Sequence, residues 1–179
     1  MVTLCEFVKV ELVKLRDEFP EVELYIGMAL GFDTACAVVA CHLEIPFHAC
    51  LPCSNQSERW AQEDQNIYLA LVRGCARTTH YVSAKKYDEK CMQNRNKYMV
   101  DRSDLGIALF NGKRGGTRHC LDYAQGVGVP FRNLWQNYTK YLKENKKSPS
   151  LVDVEDSKTA SELPGLQIEL PKAGESYGA

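Results

Sequence analysis

The chain has almost no net charge: 22 Lys and Arg stand against 23 Asp and Glu, a formal -1. Non-specific nucleic-acid binding depends on a positive field that displaces counterions, so nucleic acid is not expected as the partner, a local basic patch aside. No apolar run approaches the roughly 20 residues that cross a bilayer, and Met1 is not followed by a basic segment and a cleavable apolar core. The expectation is therefore a cytoplasmic protein without a membrane partner. No internal repeat is visible. Cys50-Leu-Pro-Cys53 has the spacing of a zinc knuckle, but no second pair lies at finger spacing, so Cys36, Cys41, His42, His48, Cys50 and Cys53 are not expected to hold a metal. The eight cysteines fall mostly in apolar segments, where a free thiol behaves as a small hydrophobe. A disulfide framework suits a secreted mini-protein better than this chain. No metal and no cofactor are expected.

What is present is a regular alternation of elements. From Thr3 to Phe19, Leu4, Phe7, Val8, Leu12 and Leu15 recur at helical spacing, and Pro20 closes the segment. Val22 to Ile26 reads as a buried strand, and Asp33 or Thr34 caps a helix to about Leu43. Ile45 to Cys50 is a second strand with its proline at the start, where a lost N–H is tolerated. A helix from about Arg59 to Arg73 is expected to stop at Gly74, which would act as its C-terminal cap. Thr79 to Ser83 is a third strand, followed by a helix over about 89–102 and a fourth strand from Leu105 to Phe110. A helix from Gly116 to about Gly126, a fifth strand from Val129 to Leu134 and a short helix over 136–146 complete the pattern. Strands alternating with helices imply an α/β fold, a three-layer Rossmann-like domain around a mostly parallel sheet. Residues 1–146 are expected to form this domain. Residues 147–179, rich in Lys, Ser, Pro and Glu, read as a solvated polar tail, interrupted by the strictly alternating, strand-like Leu166-Gln-Ile-Glu-Leu170.

Two glycine-containing turns stand where an apolar strand gives way to a helix. The first is Gly27-Met-Ala-Leu-Gly31-Phe-Asp33-Thr34, and the second ends in Arg114-Gly115-Gly116-Thr117. A strand that ends in glycines and opens a helix turns bare N–H groups toward an anion, with the helix dipole favouring negative charge. Ligands of such sheets bind beyond the carboxyl ends of the strands, where both turns lie. Gln56-Ser-Glu-Arg59-Trp60 follows the second strand on the same rim. There Trp60 stacks on a base and Arg59 meets a phosphate, or Trp60 packs on the sheet and Arg59 makes a surface ion pair. Arg95 and Asn96 share a ligand-facing side of their helix, with Met92, Tyr98 and Met99 contributing to packing and Asp101 and Asp104 near the next strand. On this reading Arg95 serves the ligand, and its removal should barely alter stability.

These motifs, in this order, resemble the YpsA-like branch of the SLOG superfamily: Gly27 to Thr34, Gln56 to Trp60, Tyr81-Val-Ser, Arg95 to Asp104, then Gly115-Gly116-Thr117. The resemblance covers roughly residues 20–135. It implies a Rossmann-like domain that binds nucleotides or nucleotide-derived ligands. Relatives include the phosphoribohydrolases called "lonely guy", the DNA-processing protein of natural transformation, and sensor domains of bacterial defence systems. In the phosphoribohydrolases a catalytic glutamate follows the Gly-Gly-Thr turn by two positions, whereas Thr117 is followed here by Arg118 and His119. N-glycosidic cleavage thereby loses its obvious acid–base group. Relatives also begin with a strand carrying a Thr-Gly-His-Arg-like turn, whereas this sequence starts inside the first helix. Leu166–Leu170 folding back in a permuted arrangement, a partner subunit, or a sheet that closes differently would each fill that place.

The resemblance thus implies a sensor or sequestering module for a phosphate- and ribose-containing small molecule, with bacterial or phage defence signalling as the context and a homodimer as the assembly. Gly27, Gly31, Thr34, Gly115, Gly116 and Thr117 would hold phosphates, with Arg95 and Arg59 or Arg114 adding charge. Trp60 or Tyr98 would stack on the base, and Asp33 would accept from a ribose hydroxyl. The alternatives are a nucleotide N-glycosidase or phosphoribohydrolase using Asp101, Asp104, Asp122 or His119 instead of the glutamate, and a single-stranded DNA binder.

Overall fold

The computed structural model describes residues 1–83, 86–88 and 90–147, so the expected tail strand at 166–170 lies outside the described residues. In chain order the elements are α1 (Val2–Glu18), β1 (Leu24–Ile26), α2 (Phe32–His42), β2 (Phe47–Leu51), α3 (Gln62–Ala70), β3 (Thr78–Tyr81), α4 (Cys91–Val100), β4 (Gly106–Ala108), α5 (Gly116–Val127), β5 (Phe131–Asn133) and α6 (Trp135–Lys147). The strand pairings among the described residues are parallel: β1 lies beside β2 with Tyr25 opposite His48, β2 beside β3 with Ala49 opposite Thr79, and β4 beside β5 with Ile107 opposite Arg132. The α/β expectation holds. The sheet, however, is in two parts, β1-β2-β3 and β4-β5, with no strand joining β1 to β4 among the described residues.

Right-handed crossovers place the helices. Moving outward from β1 through α2 to β2 puts α2 on one face, and α1 packs on α2. Moving from β3 back through α4 to β4 and then through α5 to β5 puts α4 and α5 together on the other face. The apolar stripe of α1 enters this core as its spacing requires, with Leu12 fully buried and Phe7 stacking obliquely on Tyr138 and Tyr141 of α6. Phe47 and Leu51 of β2 and Leu71 fill the centre, each contributing about 1.5–3 kcal/mol by leaving water.

Two expectations need correcting. The helix after Gln62 does not stop at Gly74; it widens into a π-helical turn, Leu71–Cys75, which ends when Ala76 becomes extended and its N–H returns to the Leu71 carbonyl at 2.9 Å. Gly74 is not among the glycines with positive φ, so it does not act as a left-handed cap. The cysteines are not all free: Cys41, in the last turn of α2, is disulfide-bonded to Cys75 at the end of the π turn. The widened turn leaves their Cα atoms 5.7 Å apart, inside bridging range, and linear spacing carries no sign of it.

Candidate functional site

A cleft of about 1040 Å³ opens between β1 and β4, the two inner edges of the divided sheet. Its floor is lined by Leu24–Ile26 and Gly106–Ala108, and its upper rim by Gly27, Asp33, Arg95, Asn96, Gly116 and Thr117. The two glycine turns therefore converge on one cleft at the carboxyl ends of the strands.

The first turn is shaped from within. Met28 is buried with φ 55, and Gly31 has φ 92 as the N-cap of α2. The left-handed residue next to the strand is thus a methionine, an arrangement costing about 1–2 kcal/mol that the surrounding bonds must hold. Asp33 Oδ2 accepts the Ala29 N–H at 3.2 Å, and both the N–H and the Oγ1 of Thr34 donate to the Ala29 carbonyl. Gln56 Nε2 donates to the carbonyls of Gly27 and Met28 at 3.2 and 2.9 Å. Its Oε1 is buried with no donor among the described residues. Thr34 and Gln56 are therefore committed to holding the turn.

Arg95 is the group that joins this turn to α4. It is 4% exposed, donates from Nη1 to the Gly27 carbonyl and from Nε to Asn96 Oδ1 at 2.9 Å, and lies 3.8 Å from Asp33 Oδ2. A Cβ on Gly27 would stand 1.8 Å from Arg95 Nη1, so the glycine is required by the close approach of the guanidinium. Asn96 Nδ2 reaches the Gly116 carbonyl at 3.4 Å, which links α4 to the second turn. That turn is more open: Gly115 is the N-cap of α5, and the first-turn N–H groups at Gly116 and Thr117 have no intrahelical acceptor.

The remaining expected residues lie elsewhere. Trp60 packs edge-on against Tyr68 at 5.3 Å and joins the core, while Arg59 and Arg114 are exposed and do not line the cleft. Tyr98 sits under Arg102, 3.7 Å from guanidinium to ring centroid, and beside His80. Gly31, Thr34, Gln56 and Gly115 shape the turns without lining the cleft. Residues that reading by motif passed over line it instead, notably Phe32, Cys36 and Cys120; Met92 and Met99, read as packing, line it as well. Cys36 and Cys120 belong to the cysteines read as small hydrophobes of apolar segments, which is the available signal, since the core at that point is the cleft wall. A second unexpected feature is a polar chain across β1 to β3: Arg77 and His48 both meet Glu23, and Thr78 Oγ1 stands 2.7 Å from both His48 Nδ1 and His80 Nε2.

Burial pushes the Cys36 thiol well above its ordinary range and raises that of Cys120, so neither is a thiolate at neutral pH. Asp101 accepts the Tyr123 hydroxyl at 2.7 Å, and Asp122 is paired with Arg118 at 2.9 Å. Asp101 and Asp104 follow the C-terminus of α4 and precede β4, at the opposite end of that strand from the glycine turns. His119 lines a separate crevice between α4 and α5, beside Lys97 and Tyr123. No helix among the described residues is long and apolar enough to cross a membrane.

The profile of the YspA SLOG family (YpsA) matches residues 2–127. The chain is also 31% identical over 125 residues to the uncharacterized SPbeta prophage-derived protein YoqJ of Bacillus subtilis (strain 168), a match covering 62% of this chain and 72% of that protein. With a parallel α/β architecture and a cleft bounded by both glycine turns, the chain belongs to the YspA SLOG family, a membership that suggests a nucleotide-related ligand.

Proposed function

We propose that this protein binds a phosphate- and ribose-containing nucleotide derivative at the rim of the β1–β4 cleft and acts as a sensor or sequestering module. The observation that carries this reading is the convergence of Gly27, Asp33, Arg95, Asn96, Gly116 and Thr117 on one cleft. The open N–H groups at the start of α5 and the Arg95 guanidinium supply donors and positive charge for a phosphate, and Asp33 offers an acceptor for a ribose hydroxyl. A binder is favoured over an N-glycosidase because the carboxylates proposed as substitutes are engaged by Tyr123 and Arg118 or stand at the other end of β4. The prophage origin of YoqJ supports a setting in phage–host conflict, with defence signalling as the role.

Thermal-shift titration with AMP, NAD and ADP-ribose, with inorganic phosphate as the control, tests the reading, because a ligand of the native state raises the melting temperature by mass action. The expected result is a saturable rise with at least one nucleotide that phosphate alone does not reproduce. Flat responses to all three would refute it. Release of free base from AMP or NAD by the wild type, abolished in Asp122→Asn, would establish the hydrolase in its place.

A further inference from the structure

The crevice between α4 and α5 measures about 110 Å³ and is lined by Gln93, Asn96 and Lys97 of one helix and His119, Cys120 and Tyr123 of the other. Helical spacing builds it: Gln93 and Lys97 stand one turn apart on α4, and His119 and Tyr123 one turn apart on α5. Its donors lack acceptors. Lys97 meets the Tyr123 ring, 5.2 Å from Nζ to the centroid, and makes no ion pair among the described residues. The Gln93 and His119 side chains have no hydrogen bond among the described residues. The acceptors close by are already engaged: Asn96 Oδ1 receives Arg95 Nε at 2.9 Å, Asp101 receives the Tyr123 hydroxyl at 2.7 Å, and Asp122 is paired with Arg118. No carboxylate is among the residues that line the crevice. The segment around it is basic although the chain is not: over residues 91–127, Arg95, Lys97, Arg102, Lys113, Arg114 and Arg118 stand against Asp101, Asp104 and Asp122.

We propose that this crevice is a phosphate-binding site, separate from the rim of the cleft. Lys97 supplies positive charge, and Gln93 and His119 supply hydrogen bonds from two different helices. His119 donates in either protonation state, since a neutral imidazole keeps one N–H and the protonated ring has two. Size limits the occupant. A water-sized group takes about 30 Å³, so the crevice holds roughly four of them, enough for one tetrahedral oxyanion and too little for a ribose or a base. Shape narrows it further. Gln93 and Lys97 approach from α4 and His119 from α5, whereas a planar carboxylate offers two oxygens along one edge; a phosphate offers three oxygens around an axis. Asn96 and Cys120 line both cavities, so the crevice adjoins the cleft, while Lys97 and His119 line the crevice alone. The bound group is either a second phosphate of a ligand held at the rim or free phosphate, and the first of these alone rests on the nucleotide reading.

NMR titration of the full chain with sodium phosphate at constant ionic strength, against sodium chloride, tests the site without any nucleotide. Its failure leaves the rim reading untouched, and a failure of nucleotides to bind leaves this site untouched. Phosphate is expected to move the His119 ring signals and the Lys97 side-chain signals along a saturating curve that chloride does not produce. Lys97 is exposed and has no ion pair to lose among the described residues. Lys97→Gln should therefore keep the fold and weaken phosphate binding by about 10-fold, the loss of one charge-assisted hydrogen bond. Lys9→Gln on α1 should change nothing. A linear drift that is the same for both salts overturns the proposal. So does Lys97→Gln with wild-type affinity for phosphate, because the binding then belongs to the rim. AMP and ADP separate the two sources. Lys97→Gln that weakens ADP and spares AMP supports the site as the seat of a second ligand phosphate; undiminished phosphate binding at saturating AMP supports it as a site for the free anion.

Discussion

Arg95 is where stability and binding meet, and Arg95→Met separates the two contributions. The substitution keeps most of the side-chain volume and removes the guanidinium. In the wild type that group is 4% exposed, donates to the Gly27 carbonyl and to Asn96, and stands 3.8 Å from Asp33. A hydrogen bond from a charged donor contributes about 1.5–3 kcal/mol. Two effects reduce the net loss: the Gly27 carbonyl keeps Gln56 Nε2 at 3.2 Å and so is not orphaned, and the variant no longer holds a charge away from water. The expected destabilisation is about 1–2 kcal/mol, which for a domain of this size lowers the melting temperature by about 2–8 °C. This corrects the sequence-based expectation that Arg95 is free of structural duty, since its burial makes it a tether between α4 and the end of β1. Differential scanning calorimetry reads the first effect, and the nucleotide-induced thermal shift, expected to vanish in Arg95→Met, reads the second. A melting point within 1 °C of wild type would refute the tether, and an undiminished nucleotide shift would remove Arg95 from the ligand site.

Acid sensitivity is expected from two surface carboxylates. The hydrogen bond from His48, with help from Arg77, holds Glu23 below its ordinary value of 4.5, and the hydrogen bond from Arg132 does the same for Glu18. A depressed folded-state pKa means that their stabilisation is fully present above about pH 4.5 and is lost as pH falls through the lower folded values. Urea midpoints between pH 6 and 3 should therefore decline less steeply in Glu18→Gln and Glu23→Gln, and a slope identical to wild type would count against both pairs. The Cys41–Cys75 bridge closes a separation of 34 residues, so its loss in Cys41→Ser should lower stability by about 2–4 kcal/mol. Thiol titration of the unfolded, unreduced wild type should find six free groups; eight would contradict the bridge. Gly106→Ala would set a Cβ 2.2 Å from the Phe131 ring and should cost about 1–3 kcal/mol by overpacking. A urea midpoint equal to wild type would show that the ring moves away freely.

Much of the cleft was legible because its parts are local. A glycine turn between an apolar strand and a helix announces itself over eight residues, and Gly27, Asp33, Gly116 and Thr117 all reach the rim. Arg95 and Asn96 were legible as a helix face, but not the burial of Arg95, which depends on Gly27 lacking a Cβ on an element 68 residues away. Trp60 was a balanced choice between stacking on a base and packing. Tyr68, on α3 and edge-on to its ring, decided it. The stop assigned to Gly74 failed because a glycine cap and a π turn share the same local composition, and only the return of the Ala76 N–H to Leu71 distinguishes them.

The sequence alone determined the order of strands and helices, the parallel α/β class and the two glycine turns that lead from strand to helix, because hydrophobic period and turn chemistry act over a few residues at a time. Tertiary structure alone decided that the turns share one cleft, that Cys41 meets Cys75, and that the sheet opens between β1 and β4. Those outcomes follow from crossover handedness and from which distant segments occupy the same space, quantities that no short stretch of sequence carries.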